Sequence, residues 1–199
     1  MNETPNQPPD PVAALVERLA LALEPRGWRL ATAESCTGGL VASACTERAG
    51  SSSWFECGVV SYSNAAKTRL LGVPAALIER HGAVSLPVAE AMARGAQTGL
   101  PPVNAGAGAS SGCGSSSSSS AVQTALAITG VAGPGGGSVD KPVGTVCLAW
   151  AVGGRVWSRR CRFDGDRAAV RLQSVQLALR ELVEVLEQTP APAAAPRAG

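Results

Sequence analysis

The chain has 199 residues, of which 45% are hydrophobic and only 4% aromatic, so we expect one domain whose core is built from Ala, Val and Leu. Its formal net charge of +2 is too small to indicate a nucleic acid or an acidic membrane surface as a partner. No apolar run approaches the roughly 20 residues that cross a bilayer. The proline-rich start, Met1 to Pro11, lacks the features of a signal peptide, so we expect a cytoplasmic protein without direct membrane or nucleic-acid binding.

The cysteines and the histidine do not form a metal-binding pattern. The chain has six cysteines and one histidine, His81, and no C-x-x-C pair. In a chain without an export signal, such cysteines are expected to be reduced and mostly buried. We therefore expect no structural metal.

The first half of the chain alternates helix and strand signals after a disordered tail at residues 1–10. Apolar spacing predicts a helix over 12–23 that ends near Pro25-Arg26-Gly27. A strand at 28–33 and a helix at 38–48 follow, and then a second strand at 55–62.

Three short helices come next, and then the composition changes. The helices are predicted at 65–71, from Pro74 to about 80, and at 87–97. Residues 99–120 contain Pro-Pro, alternating Gly and Ala, and a run of serines. Such a segment cannot bury enough apolar surface to fold alone, so we interpret it as a flexible surface insert.

The second half predicts strands and a long terminal helix. We expect a buried strand over 124–129 and a hairpin of strands 143–152 and 155–163, turning at Gly153-Gly154. A last helix starts after Asp164-Gly165-Asp166, and residues 189–199 form a loose tail. The sum is a three-layer α/β/α sandwich with a mixed sheet, in a single domain over 11–188.

The stretch Ala31–Gly39 looks like the functional centre. A buried strand there ends in Glu34-Ser35-Cys36-Thr37, and two glycines, Gly38 and Gly39, open the next helix. Ligands bind in α/β folds at such turns, where helix N–H groups favour an anion or a developing oxyanion. A plain helix cap with glycines for tight packing would give the same pattern.

Lysine usage indicates a base for a nucleophile at this turn. Of the 17 basic residues only Lys67 and Lys141 are lysines. A desolvated lysine can lose its proton and act as a base, which arginine cannot. Tyr62, Asn64 and Lys67 follow the second strand, so Lys67 could reach Ser35 if the two strands are neighbours, with Tyr62 as a proton relay. Chance or simple packing would also account for Lys67.

Two rival arrangements and one loop remain open. Cys36 at a helix N-terminus is an alternative nucleophile, and His81 could complete a Ser-His-Asp triad. The glycine loop 130–137 matches neither common phosphate signature, yet its N–H groups could surround a phosphate or carboxamide. Lys141 and Arg167 are candidate anion partners there.

Six motifs in order carry a family resemblance. They are Ala33-Glu34-Ser35-Cys36-Thr37-Gly38-Gly39, Tyr62-Ser63-Asn64-Ala65-Ala66-Lys67, His81-Gly82-Ala83-Val84-Ser85, Thr129-Gly130-Val131-Ala132-Gly133-Pro134, Lys141-Pro142-Val143-Gly144-Thr145-Val146 and Gly165-Asp166-Arg167 with Val170-Arg171. Over about residues 10–98 and 124–188 the chain resembles the CinA C-terminal domain family, the nicotinamide-nucleotide amidohydrolases. The insert at 99–120 departs from the family pattern.

The resemblance implies a cytoplasmic enzyme that converts nicotinamide mononucleotide to nicotinic acid mononucleotide and ammonia, without metal or cofactor and as a homodimer. It places the catalytic serine at Ser35, the lysine at Lys67 and the tyrosine at Tyr62. The 5′-phosphate is expected at a helix N-terminus and Arg167 or Arg171. The residues expected to bind this nucleotide substrate are Thr37, Gly38, Gly39, Asn64, Thr129, Gly130, Ala132, Gly133, Lys141, Arg167 and Arg171.

Two other functions fit the same residues. One is a non-catalytic nucleotide-binding module linked to competence or DNA-damage responses. The other is a Ser/Lys amidase that acts on a different amide.

Overall fold

A computed structural model describes residues 10–98 and 122–190. The predicted insert at 99–120, residues 1–9 of the predicted N-terminal tail and residues 191–199 of the C-terminal tail lie outside the described residues. Asp10, which was assigned to the disordered tail, instead caps the first helix, because its carboxylate accepts a hydrogen bond from the Val12 N–H at 3.0 Å.

One five-stranded mixed sheet forms the centre of the fold, with strand order β2-β1-β3-β4-β5. β1 lies between β2 and β3 and is parallel to both, whereas β3–β4 and β4–β5 are antiparallel. Gly153 and Gly154 form the predicted turn of the β4–β5 hairpin, both with positive φ. The strands are β1 (Leu30–Glu34), β2 (Phe55–Val60), β3 (Thr124–Gly130), β4 (Thr145–Val152) and β5 (Arg155–Arg162).

The helices match the predicted ones to within a few residues at their ends. Ser63 caps α3 and Asp166 caps α6 with their side chains, as expected for short polar residues before a helix. The helices are α1 (Pro11–Leu23), α2 (Leu40–Glu47), α3 (Asn64–Leu71), α4 (Ala75–His81), α5 (Leu86–Thr98) and α6 (Arg167–Gln188). Short 3₁₀ turns at Glu24–Arg26 and Ser51–Ser53 complete the described elements.

The sheet separates two hydrophobic cores, which gives the predicted three layers. One face of β3 and β4 carries large side chains, such as Ile128 and Trp150, and packs against α1, α2 and α6. The opposite face carries small ones, such as Ala127 and Ala149, and packs against α3, α4 and α5. Since side chains alternate along a strand, the large-small alternation in the sequence assigns each helix layer its face.

Helix α5 packs closely against the end of α3. A Cβ atom at Gly95 would lie 1.9 Å from the backbone oxygen of Leu71, the last residue of α3. Only glycine leaves room for this approach, so the contact fixes the position of α3 on the small-residue face of the sheet.

Residues 10–98 and 122–190 include no helix that is long and apolar enough to cross a membrane. Nor does any group of three or more His, Cys, Asp or Glu side chains in that part of the chain form a site for a metal ion.

Candidate active site

Parallel pairing of β1 and β2 brings the two candidate catalytic residues together. Ser35 directly follows β1, and Lys67 lies in the first half of α3, which follows β2. Both strands run in the same direction and are neighbours, so their carboxyl ends meet at one edge of the sheet. The Lys67 Nζ atom lies 3.1 Å from the Ser35 Oγ atom. The condition for contact between Lys67 and Ser35, that the two strands are neighbours, is therefore met.

Lys67 is buried and has no carboxylate partner among residues 10–98 and 122–190. Its exposure is 1%, and its ammonium group donates a second hydrogen bond to the Ser61 backbone oxygen at 2.8 Å. Burial lowers the pKa of Lys67 from its usual value, because desolvation disfavours the charged form. A neutral amine beside a serine hydroxyl can accept the hydroxyl proton.

The Ser35 turn is anchored to the central strands from both sides. The Ser35 N–H donates to the Ile128 oxygen of β3 at 2.9 Å, and the Ser61 N–H donates to the Glu34 oxygen of β1 at 2.8 Å. Ser35 itself is only 7% exposed. The nucleophile and the residue that holds the lysine are thus fixed by the same sheet.

Glu34 occupies the helix start that we expected to be open to an anion. Its buried carboxylate accepts hydrogen bonds from the backbone N–H groups of Gly39, Val41 and Ala42 at 3.0, 3.2 and 2.9 Å. These are donors at the N-terminus of α2, where a negative charge is favoured. The chain therefore supplies its own anion, and the expectation that a substrate anion binds at the N-terminus of α2 is wrong.

Of the donors predicted at Thr37, Gly38 and Gly39, the structure leaves one free. The Gly38 N–H donates to the Ser35 oxygen at 3.1 Å, and the Gly39 N–H donates to Glu34. The Thr37 N–H has no acceptor within the described residues, and the Thr37 hydroxyl is buried without a partner there. The Thr37 oxygen accepts from the Arg171 guanidinium at 2.8 Å, which ties this turn to α6.

Tyr62 lies on the rim of the site. It is 65% exposed, and its hydroxyl accepts a hydrogen bond from Arg167 at 3.1 Å. The second Arg167 nitrogen donates to the Gly133 oxygen at 2.8 Å. Because Ser35 and Lys67 are in direct hydrogen-bond contact, the geometry does not require a relay through Tyr62. Asn64 is exposed at the first residue of α3.

A cavity of about 650 Å³ lies next to Arg171, whose guanidinium contacts the Thr37 oxygen of the Ser35 turn. It is lined by the loop after β3 and by the first turns of α6. Arg167 and Arg171 both contribute to its wall, with Ala132, Gly133 and Asp166. Two guanidinium groups at a cavity are suited to an anionic ligand such as a phosphate.

Lys141 and Thr129 have protein partners in the structure. The Lys141 ammonium donates to the His81 oxygen at 2.7 Å, and the Thr129 hydroxyl donates to the Ala83 oxygen at 3.0 Å. The first bond holds the end of α4, and the second holds the loop that joins α4 to α5. A Cβ atom at Gly130 would lie 3.1 Å from the Cys36 Sγ atom, so this glycine makes room for the residue after the candidate nucleophile.

The geometry disfavours both rival nucleophile arrangements. Cys36 is buried, and burial raises its pKa to about 11, which leaves the thiol protonated near neutral pH. His81 ends α4, where its oxygen accepts from Lys141. None of the hydrogen bonds within the described residues joins His81 to Ser35.

Sequence reasoning missed two contributors to the site. Ser61 acts through its backbone oxygen, for which a sequence contains no signal. The Glu34 carboxylate reaches donors five to eight residues further along the chain, beyond the spacing of an ordinary helix cap. An acidic residue directly before the candidate nucleophile was the available signal.

The protein has an α/β fold with a mixed sheet, and a buried serine-lysine pair lies at the carboxyl ends of β1 and β2. This arrangement defines its class as an α/β protein with a candidate serine hydrolase site. The model of the CinA C-terminal domain matches residues 12–186, and the chain belongs to that family.

The curated relatives include proteins of about the same length as this chain and much longer ones. The nicotinamide-nucleotide amidohydrolase PncC of Pseudomonas putida is 49% identical over 176 residues, which are 88% of this chain and 98% of that protein. A CinA-like protein of Mycolicibacterium vanbaalenii is 52% identical over 161 residues, 80% of this chain. The aligned part is only 33% of that longer protein.

Solved structures share the fold. The competence/damage inducible protein CihA of Agrobacterium tumefaciens aligns with a TM-score of 0.76 and 38% identity, over 94% of this chain and 100% of that one. A CinA superfamily protein of Klebsiella pneumoniae aligns with a TM-score of 0.76 and 37% identity, over 89% of this chain and 99% of that one.

Proposed function

We propose that the protein hydrolyses the carboxamide of nicotinamide mononucleotide to nicotinic acid mononucleotide and ammonia, as a step of pyridine nucleotide salvage. The observation that carries the proposal is the 3.1 Å contact between Ser35 and a buried Lys67. The name and the nearly full coverage of the Pseudomonas putida relative support the choice of substrate.

The proposed reaction starts with a proton transfer from serine to lysine. Burial lowers the pKa of Lys67, which favours the neutral amine that this step requires. One of its N–H groups donates to the Ser61 oxygen, which leaves the nitrogen lone pair for the Ser35 hydroxyl. As the proton moves to Nζ, the Ser35 oxygen attacks the carboxamide carbon.

The tetrahedral intermediate then carries a negative oxygen. Backbone N–H groups of the turn after Ser35 are the donors that we propose for it. Lys67, now an ammonium, gives its proton to the leaving nitrogen, and ammonia departs. A water molecule attacks the resulting acyl ester and gives a proton to Lys67. Lys67 passes this proton to the departing Ser35 oxygen, which releases the acid product and restores the serine hydroxyl and the neutral amine.

We assign the 5′-phosphate to the cavity lined by Arg167 and Arg171. A guanidinium has several N–H donors, so Arg167 and Arg171 keep donors for a phosphate beside their bonds to Gly133, Tyr62 and Thr37. The N-terminus of α2 is occupied by Glu34. Tyr62 then acts at the rim through its bond to Arg167. Its role as a proton relay stays a prediction.

The direct test is ammonia release from nicotinamide mononucleotide by the purified protein, with Ser35→Ala as the inactive comparison. We expect the wild type to release ammonia and Ser35→Ala to release none. We also expect mass spectrometry after rapid quenching to show an acyl adduct on Ser35 of the wild type. Release only from other amides would favour a Ser/Lys amidase of different specificity. Binding of the nucleotide without release from any amide would favour a non-catalytic module.

Two further expectations concern the protein in the cell. We expect a homodimer, which light scattering of the purified chain would test. We also expect a cytoplasmic location, where nicotinamide nucleotides and reduced cysteines coexist. Fractionation of the producing cells tests that expectation.

A further inference from the structure

The Glu34 side chain has an unusual set of partners for a carboxylate. It is 1% exposed and has no Lys, Arg or His partner among the described residues. Its two oxygens accept three backbone N–H groups, Gly39 and Val41 at one oxygen and Ala42 at the other. A buried charge is stable only when hydrogen bonds replace its hydration, and these three do so.

These bonds close the turn that presents the nucleophile. Residues 35–38 are the segment of chain between Glu34 and the first donor, Gly39. The carboxylate therefore ties the end of β1 to the start of α2 on both sides of Ser35. The Glu34 backbone oxygen also accepts from Ser61, whose own oxygen holds Lys67.

Glu34 thus controls both halves of the pair. Its side chain fixes the serine turn, and its main chain fixes the residue that orients the lysine amine. A small displacement of a reacting group can cost about a hundredfold in rate, so this double attachment matters for catalysis. We propose that Glu34 is the positioning residue of the Ser35–Lys67 pair, a role that rests on the proposed amidase function.

The proposed role requires a side chain with two acceptor oxygens and no donor, which a carboxylate provides. A glutamine at this position has one acceptor oxygen, and its NH₂ group would face at least one of the backbone N–H donors. The Glu34→Gln variant should therefore loosen the turn without changing side-chain length. Glu181→Gln is the matched control, since Glu181 is bonded to Arg159 of β5, away from the Ser35 turn.

The test compares the wild type, Glu34→Gln, Glu34→Ala and Glu181→Gln by ammonia release from nicotinamide mononucleotide. For Glu34→Gln we expect kcat to fall at least about tenfold while KM stays within about threefold, because substrate contacts are unchanged. The acid limb of kcat/KM against pH should stay in place, since burial sets the pKa of Lys67. Glu181→Gln should match the wild type.

Two measurements make the result independent of substrate and of folding. Ser35 labelling by a fluorophosphonate probe, followed by intact mass, should slow at least about tenfold in Glu34→Gln. Hydrogen exchange at the amides of residues 39, 41 and 42 should speed up in the same variant, which remains informative if Glu34→Ala does not fold.

Several outcomes overturn the proposal. They are wild-type kcat and labelling in Glu34→Gln, unchanged exchange at the three amides, a rise in KM alone, or a shifted acid limb. If the wild type is labelled at Ser35 but releases no ammonia from the nucleotide, the proposed substrate is wrong and the labelling comparison still tests Glu34. If Ser35 of the wild type is not labelled and no ammonia is released, both proposals fail.

Discussion

The two sides of the candidate site differ in burial and in hydrogen bonding. On the serine side Glu34, Ser35 and Lys67 are 1%, 7% and 1% exposed, and each is bonded to the backbone of the sheet or of α2. On the arginine side Arg167 is exposed and Arg171 half-buried, beside a cavity of about 650 Å³. The comparison indicates a rigid region for chemistry and an open region for recognition.

Lys67→Arg should break the serine side with the largest effect. Arginine keeps the positive charge and cannot lose its proton, so it cannot serve as the base. We expect kcat for ammonia release to fall by about 10³-fold. Arg69→Lys, an exposed change on the same helix, is the matched control and should retain wild-type turnover. Near-normal release by Lys67→Arg would remove lysine from the proposed mechanism.

Arg167→Ala should weaken the arginine side and leave the chemistry intact. We expect KM for the mononucleotide to rise about tenfold to a hundredfold with a smaller change in kcat, because a charge-assisted contact to the phosphate is lost. The riboside, which has no phosphate, should be hydrolysed equally by the variant and the wild type. An equal loss on both substrates would contradict the assignment of the phosphate. Arg162→Ala, an exposed change on β5, is the control.

The stability of the wild type should depend on pH through Lys67. The folded-state pKa of Lys67 is lowered, so between that value and the unfolded value near 10.5 the unfolded chain binds more protons, and the free energy of unfolding rises with pH. Lys67→Met lacks this contribution. The free energy of unfolding of Lys67→Met, measured in urea, should therefore exceed that of the wild type most at low pH, and the difference should shrink as the pH increases. A difference that does not change with pH would indicate an unshifted lysine.

Cys36→Ala should have the smallest effect on catalysis. The thiol is buried and protonated near neutral pH, because its pKa is raised to about 11. Ammonia release is expected to stay within about threefold of the wild type, since the protonated thiol takes no part in the proposed steps and alanine leaves only a small change in packing. Loss of activity comparable to that of Ser35→Ala would make Cys36 the nucleophile.

The fold was predictable from local patterns in the sequence. Strand signals at β3 and β4 alternate large and small residues, and helix caps such as Ser63 and Asp166 are chemically distinctive. The neighbouring order of β1 and β2 is a property of the whole sheet. Sequence reasoning could state it only as a condition for the contact between Ser35 and Lys67.

The limits of the sequence lie where backbone atoms act. Ser61 contributes a carbonyl oxygen that holds Lys67, and the Gly38 and Gly39 N–H groups are bonded to Ser35 and Glu34. Lys141 carries the charge of an anion partner, and its ammonium donates to the backbone oxygen of His81 at the end of α4. Such assignments require coordinates, since every residue has the same main-chain groups.

Gly95 connects the packing of the core to the chemistry at the opposite end of α3. Its missing side chain lets α5 touch the Leu71 backbone oxygen at the end of the helix that carries Lys67. An alanine there would push that helix outward and carry the amine away from the serine. The methyl group of an alanine at position 95 would thereby lower activity although it contacts neither Ser35 nor Lys67.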